Sequence, residues 1–238
     1  MSQSEPISYA KTVYGQEEID AVMQCLTEST QMGNYSRKFE KKIGDAFNKG
    51  QIKAPVHLYH NNEDQMIEIF KDIDIKNDWV CCTWRNHYQG LLKGIPPKLM
   101  EDNIRNGKSM VANLPEYKFI CSSIVGGIPS IAAGIALSIK LQKKKNRVWC
   151  WVGDMSAETG HFHEAYKYSL NHNLPITFIV EDNKKSVCTP TPDIWKRKTP
   201  YYLESEYKGG ILKQKNLIYY QYDNTKYPHA GAGVRVQF

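Results

Sequence analysis

Hydrophobic positions along this chain change their period several times, and each change marks an element. Residues 147–152 (RVWCWV) form a short β-branched and aromatic run that reads as a buried strand. Segments 79–83, 119–122, 176–180 (ITFIV) and 217–222 (LIYYQY) read the same way. Between strands the apolar spacing becomes helical. Phe162, Ala165, Tyr166 and Leu170 predict a helix over 158–171, and an apolar helix over 131–141 follows a small-residue turn in SSIVGGIPSIAAGIALS (122–138). Gly153-Asp154 closes one strand and Glu181-Asp182-Asn183 the next, so strand, acidic turn, helix, strand and polar turn make a βαβ unit. The expected fold is α/β: a doubly wound, mainly parallel sheet built from the five strand segments, with helices on both faces. Ahead of it, Ile19, Val22, Met23 and Leu26 predict an amphipathic helix over 15–29. Phe39, Ile43 and Phe47 predict another over 36–47, capped by Ser36. The expected division is a helical extension (1–47) followed by one α/β domain (48–238).

In such a sheet ligands bind at the carboxyl ends of the strands. There one turn offers the Asp154 carboxylate and the other the Asn183 amide oxygen, hard donors that suit Mg²⁺ shared with phosphate and water. Gly-Asp and Asp-Asn are equally ordinary turn residues when taken alone. Trp84-Arg85-Asn86-His87 follows another strand end. An arginine there suits a forked contact to phosphate oxygens, and a histidine two residues on suits acid–base work; a surface salt bridge and a structural histidine are the alternatives.

The stretch GDMSAETGHFHEAYKYSLNHNLPITFIVEDN (153–183) resembles the thiamine diphosphate motif, GDG and then NN after a spacer of about 25 residues, with Met155 in place of the third motif glycine and Asp182 in place of the first asparagine. From Asn48 onward the chain is similar to the alpha subunit of the 2-oxo-acid dehydrogenases, and the resemblance covers roughly residues 34–191. It implies thiamine diphosphate and Mg²⁺ as cofactors. The metal would be held by Asp154, Asn183 and the Lys185 carbonyl, with the Met155 and Ser156 amides beyond Gly153 on phosphate oxygens. It further implies Arg85, with Trp84 beside it, on the diphosphate, and Gly127, Ile128 and Pro129 at the aminopyrimidine. His87 would line the active-site mouth. Tyr227-Pro228-His229-Ala230-Gly231 is faintly similar to a family loop that would bring His229 to the entrance; a polar terminus is the alternative.

The glutamate that activates the cofactor would come from a beta-type, pyrimidine-binding partner, in an assembly of two alpha and two beta chains. The chain alone should then be inactive, with the helix over 131–141 at the seam between subunits. The donor substrate would be a 2-oxo acid, or a ketose if the chain is half of a split transketolase-like or acyloin-forming enzyme; a scaffold with a decayed site is the third possibility. Residues 14–47 are also similar to the start of sugar aminotransferases, whose chemistry nothing later in the chain supplies.

Composition narrows the classes. The chain has 238 residues and a net charge of +6, with 31 basic residues against 25 acidic. The basic run KLQKKKNR (140–147) reads as a solvated loop, with no nucleic-acid motif beside it. No apolar run reaches the length of a membrane span and the N-terminus is polar. Six cysteines without zinc spacing read as reduced thiols of a cytoplasmic protein.

Overall fold

A computed structural model describes residues 29–196 and 199–234. The helix expected over 15–29 lies outside the described residues, its last residue excepted. Helix α1 (Ser29–Asn48) leads through an extended segment to α2 (Glu63–Phe70), strand β1 (Trp79–Cys82), α3 (His87–Leu92) and α4 (Pro97–Arg105). Strands β2 (Asn113–Leu114) and β3 (Phe119–Cys121) precede α5 (Gly127–Leu141) and β4 (Val148–Gly153). A short α6 (Asp154–Ala157) and α7 (Gly160–Asn171) follow, then β5 (Ile176–Asp182). A small hairpin of β6 (Lys185–Ser186) and β7 (Thr189–Pro190), α8 (Thr191–Trp195), β8 (Ile211–Gln214) and β9 (Leu217–Gln221) complete the order.

The sheet runs β2-β3-β1-β4-β5-β9-β8. Strands β3, β1, β4, β5 and β9 are parallel, and only the edge strands β2 and β8 run antiparallel to their neighbours. Both faces are covered, which explains the unbroken apolar runs. Along each strand successive side chains enter opposite layers. Trp149, Trp151 and Ile179 join the layer beneath α1–α4, while Val148, Cys150, Val152, Phe178 and Val180 join the layer beneath α5 and α7. Phe39, Ile43 and Phe47 of α1 belong to the first of these layers.

Four local expectations need correction. Ser36 is not a cap: α1 already runs through it and its side chain is buried. The helix expected over 158–171 breaks at Thr159, whose hydroxyl accepts a bond from the Phe162 amide at 3.3 Å and caps a new helix. The apolar helix expected from 131 starts four residues earlier, at Gly127. Strand β5 runs on through Glu181 and Asp182, which pair with Tyr220 and Gln221 instead of turning. Cys81, Cys82, Cys121 and Cys150 are free and buried, and Cys188 is free and exposed. Among the described residues, no helix is long and apolar enough to cross a membrane.

Candidate active site

The chain leaves β1 toward β3 and returns past β1, through α5, to β4. Strands β1 and β4 are parallel neighbours whose connections depart in opposite directions. Their carboxyl ends therefore bound a crevice, the usual ligand position in an open α/β sheet. A cavity of about 270 Å³ opens there, lined by Trp84 and Arg85 after β1, Gly153–Ser156 at the β4 end, and Asn183 and Lys185 after β5. His57 and His229 close its wall.

Arg85 is buried and has no ion pair with a carboxylate among the described residues. Its Nε donates to the Leu58 carbonyl at 3.1 Å, its Nη2 reaches the His229 carbonyl at 3.4 Å, and the guanidinium lies 5.7 Å from the Tyr59 ring centroid. A buried guanidinium held by carbonyls and an aromatic face keeps its charge available for an anion.

Across the cavity Asp154 is also buried, and its Oδ2 has no hydrogen-bond partner among the described residues. Burial pushes its carboxyl up to about 8, and the nearby Asp182 adds to the shift. The register makes that neighbour inevitable: Gly153 pairs with Glu181, so the next residues, Asp154 and Asp182, fall side by side. Alternation along β5 sends Glu181 and Asp182 to opposite faces. Glu181 accepts from the Tyr59 hydroxyl (2.6 Å), the Tyr220 hydroxyl and Asn62 Nδ2 (3.1 Å). Burial raises its carboxyl to about 7. The Asn183 Oδ1 accepts the Lys185 amide at 3.1 Å, which folds the chain back beneath the cavity.

Met155, at the motif glycine's position, lies in helix α6 and is not among the residues with positive φ. That backbone demands no glycine. Its sulfur accepts the Trp195 Nε1 at 3.0 Å, which anchors the side chain. Gly126 differs: it has φ +73° before α5, and a Cβ there would meet the Thr159 hydroxyl at 3.0 Å.

Some expected residues are not brought to the cavity. His87 is wholly buried, with Nδ1 2.9 Å from Glu40 Oε2 and Nε2 2.9 Å from Ser109 Oγ. Both ring nitrogens are engaged away from solvent, so the expected place at the mouth is corrected. Gly127, Ile128 and Pro129 form the first turn of α5; Ile128 and Pro129 are buried, and Ser123 and Val125 just before them line the cavity instead. His57, which sequence reasoning passed over, lines the cavity where His87 does not. Its ring meets His229 edge-on at 4.9 Å and its Nδ1 has no partner. Burial first, and then the Arg85 charge, lower its pKa to about 3; the same two causes lower His229. The one available signal was a histidine between two apolar residues, Val56 and Leu58, in an extended segment.

The sequence pattern of the family described as "Dehydrogenase E1 component" matches residues 31–207. The chain belongs to that family. It is 29% identical over 164 residues to the alpha subunit of acetoin:2,6-dichlorophenolindophenol oxidoreductase from Bacillus subtilis (strain 168), covering 65% of this chain and 49% of the relative. It is 30% identical over 157 residues to the pyruvate dehydrogenase E1 component subunit alpha of Zymomonas mobilis, covering 62% and 44%. The equivalent subunit of Rickettsia felis is 26% identical over 163 residues, covering 64% and 50%. The chain thus spans about half the length of these relatives.

Proposed function

We propose that this chain is the diphosphate-binding subunit of a heteromeric thiamine diphosphate-dependent enzyme that acts on a 2-oxo acid, by decarboxylation with acyl transfer or oxidation. The observation that carries the reading is the meeting of two unanswered buried groups across one cavity: Arg85, with no carboxylate partner among the described residues, and Asp154, with an orphaned oxygen in a setting that disfavours its charge. A metal–diphosphate supplies both missing partners. Among the described residues no three His, Cys, Asp or Glu gather as a metal site. Mg²⁺ does not need such a cluster, because it takes few protein ligands and completes its shell with phosphate and water.

Asp154 and Asn183, with the Lys185 carbonyl, would hold Mg²⁺. Arg85 would grip the diphosphate, with Trp84 beside it. The first amides of a helix lack intrahelical partners, and those of Met155 and Ser156, beyond Gly153, are available to phosphate oxygens. Ser123 and Val125, on the loop before the Gly127–Pro129 turn, would stand nearest the aminopyrimidine. When bound, the thiamine group supplies the electron sink for cleaving the bond to the carboxylate. His57 is neutral near pH 7 and burial disfavours the charged form of His229 as well, so each offers an imidazole nitrogen that can hold a hydrogen bond at a substrate oxygen. The His87 ring would contribute by bracing α1 against α3, with His229 kept as the histidine of the entrance.

The activating glutamate is assigned to a beta-type partner in an assembly of two alpha and two beta chains. The outer side of α5 and the loop before it supports a seam there. Ile124, Val125 and Ile131 are exposed apolar residues, and a side chain added at Gly134 would meet nothing within 4 Å. The free buried thiols support the expected cytoplasmic setting. The relative named for acetoin favours a second reading, transfer of a short carbon fragment to or from an acyloin or aldehyde. Turnover by the chain reconstituted with a beta-type partner, assayed with 2-oxo acids with and without an aldehyde acceptor, separates the two. Full activity from the isolated chain would refute the half-site.

A further inference from the structure

Asp182 stands where the thiamine motif usually has an asparagine, so this site carries one more carboxylate than the motif requires. Asp154 and Asp182 follow the paired residues Gly153 and Glu181, line one side cavity together, and are both buried. Neither makes an ion pair among the described residues. Lys184 and Glu158 border the same small side cavity of about 110 Å³, in which Asp154, Asp182, Thr191 and Tyr219 also stand. Two carboxylates side by side in a buried setting repel, and a proton or a cation must come between them.

The lone pairs indicate which. Asp182 Oδ2 accepts from the Tyr219 hydroxyl and from Gln221 Nε2 at 3.0 Å, which uses both of its lone pairs. Asp182 Oδ1 accepts only the Lys184 amide, at 2.7 Å, and keeps one lone pair. Asp154 Oδ2, on a side chain 93% buried, keeps both. Three donors orient the Asp182 carboxyl while leaving an acceptor beside the orphaned oxygen of Asp154. That is a preformed pair of hard oxygen ligands.

We propose that Asp182 is a second carboxylate ligand of the divalent cation, so that Asp154 and Asp182 together bind the cation before, and without, the diphosphate. The inference rests on the reading of Asp154 as a cation ligand. With asparagine at this position the cation would meet one carboxylate and would depend on phosphate oxygens for the rest of its charge balance. With Asp182 the two carboxylates neutralise it fully, and binding order becomes metal first.

The test is a titration of the full chain with Mn²⁺, read by electron paramagnetic resonance of the free ion, without thiamine diphosphate. The wild type is expected to bind one Mn²⁺. Asp182→Asn, which preserves shape, should weaken that binding by about tenfold or more, and Asp154→Asn should abolish it. Unchanged Mn²⁺ affinity in a folded Asp182→Asn chain overturns the proposal and leaves the proton as the bridge. Should that variant not fold, the infrared difference spectrum of wild type on adding Mg²⁺ decides. Shifts in two carboxylate bands support the pair, and a shift in one overturns it. Retention of thiamine diphosphate by Asp154→Asn would instead sink the functional reading beneath it.

Discussion

The two ends of the sheet handle buried charge in opposite ways. At the amino end, Lys93 is fully buried and donates to the carbonyls of Ile75 and Asp78, the latter at 2.7 Å. The Asp78 carboxylate beside it accepts the Arg147 amide (2.7 Å), the Trp149 Nε1 (2.9 Å) and the Asp74 amide (3.1 Å). At the carboxyl end, among the described residues, Arg85 has no carboxylate partner, and Asp154 and His57 each keep a buried atom with no partner. Size would choose the other end, because a cavity of about 1140 Å³ lies at the amino end and is bordered by Asp74, Asp78 and Arg147. That hollow is wide, and the Asp78 carboxylate on its border already accepts from three donors. A buried carboxyl with an orphaned oxygen facing a buried guanidinium, not volume, marks the proposed site.

The contrast is open to direct attack. The largest effect on stability is expected at the amino end. Asp78→Ala strands three donors and removes the carboxylate near the buried Lys93, so it should cost about 3 kcal/mol in chemical denaturation while leaving thiamine diphosphate affinity unchanged. Loss of cofactor in a still-folded Asp78→Ala chain would break the division between the ends. Arg85→Met should do the reverse. Cofactor binding by the reconstituted enzyme should weaken by about 2 kcal/mol or more, as expected for a lost charge-assisted contact, with folding stability within about 1 kcal/mol of wild type.

His57 gives a smaller, pH-dependent effect. Its folded pKa of about 3 lies below the ordinary 6.5 because burial, then Arg85, disfavour the charged ring. Between those values the unfolded chain holds a proton that the folded chain lacks. The His57 contribution is therefore present above pH 6.5 and is lost as pH falls toward 3. Denaturation midpoints taken at pH 7 and pH 4.5 should differ less in His57→Gln than in wild type; an equal difference would mean His57 is not held neutral. The smallest effect belongs to Met155→Gly. Because residue 155 already has a helical backbone and its side chain rests on Trp195, restoring the motif glycine should change cofactor affinity by less than about threefold, or 0.7 kcal/mol.

Much of this was legible in the chain because both faces of the sheet are buried. Each central strand was therefore a continuous apolar run with a polar stop. The stop was misread only in β5, where Glu181 and Asp182 find hydroxyl and amide donors inside the fold and the strand continues. Edge strands were not legible: β2 has two residues, and Ile211–Gln214 is only partly buried, so neither has a pattern to read. Charged ligands next to strand ends were legible, as Arg85 and Asp154 illustrate. Histidines were not. Spacing along the chain does not reveal that Glu40, 47 residues before His87, claims one of its nitrogens. Nor does it reveal that His57, far upstream, meets His229 near the C-terminal end of the described residues.

In the proposed function, Asp154 anchors a metal–diphosphate at the carboxyl end of the sheet. The most direct test of that role is equilibrium retention of thiamine diphosphate, with Mg²⁺ present, by the chain reconstituted with a beta-type partner. Wild type should retain one cofactor per chain and release it to a chelator, and a folded Asp154→Ala chain should retain none. Equal retention by both would contradict the account.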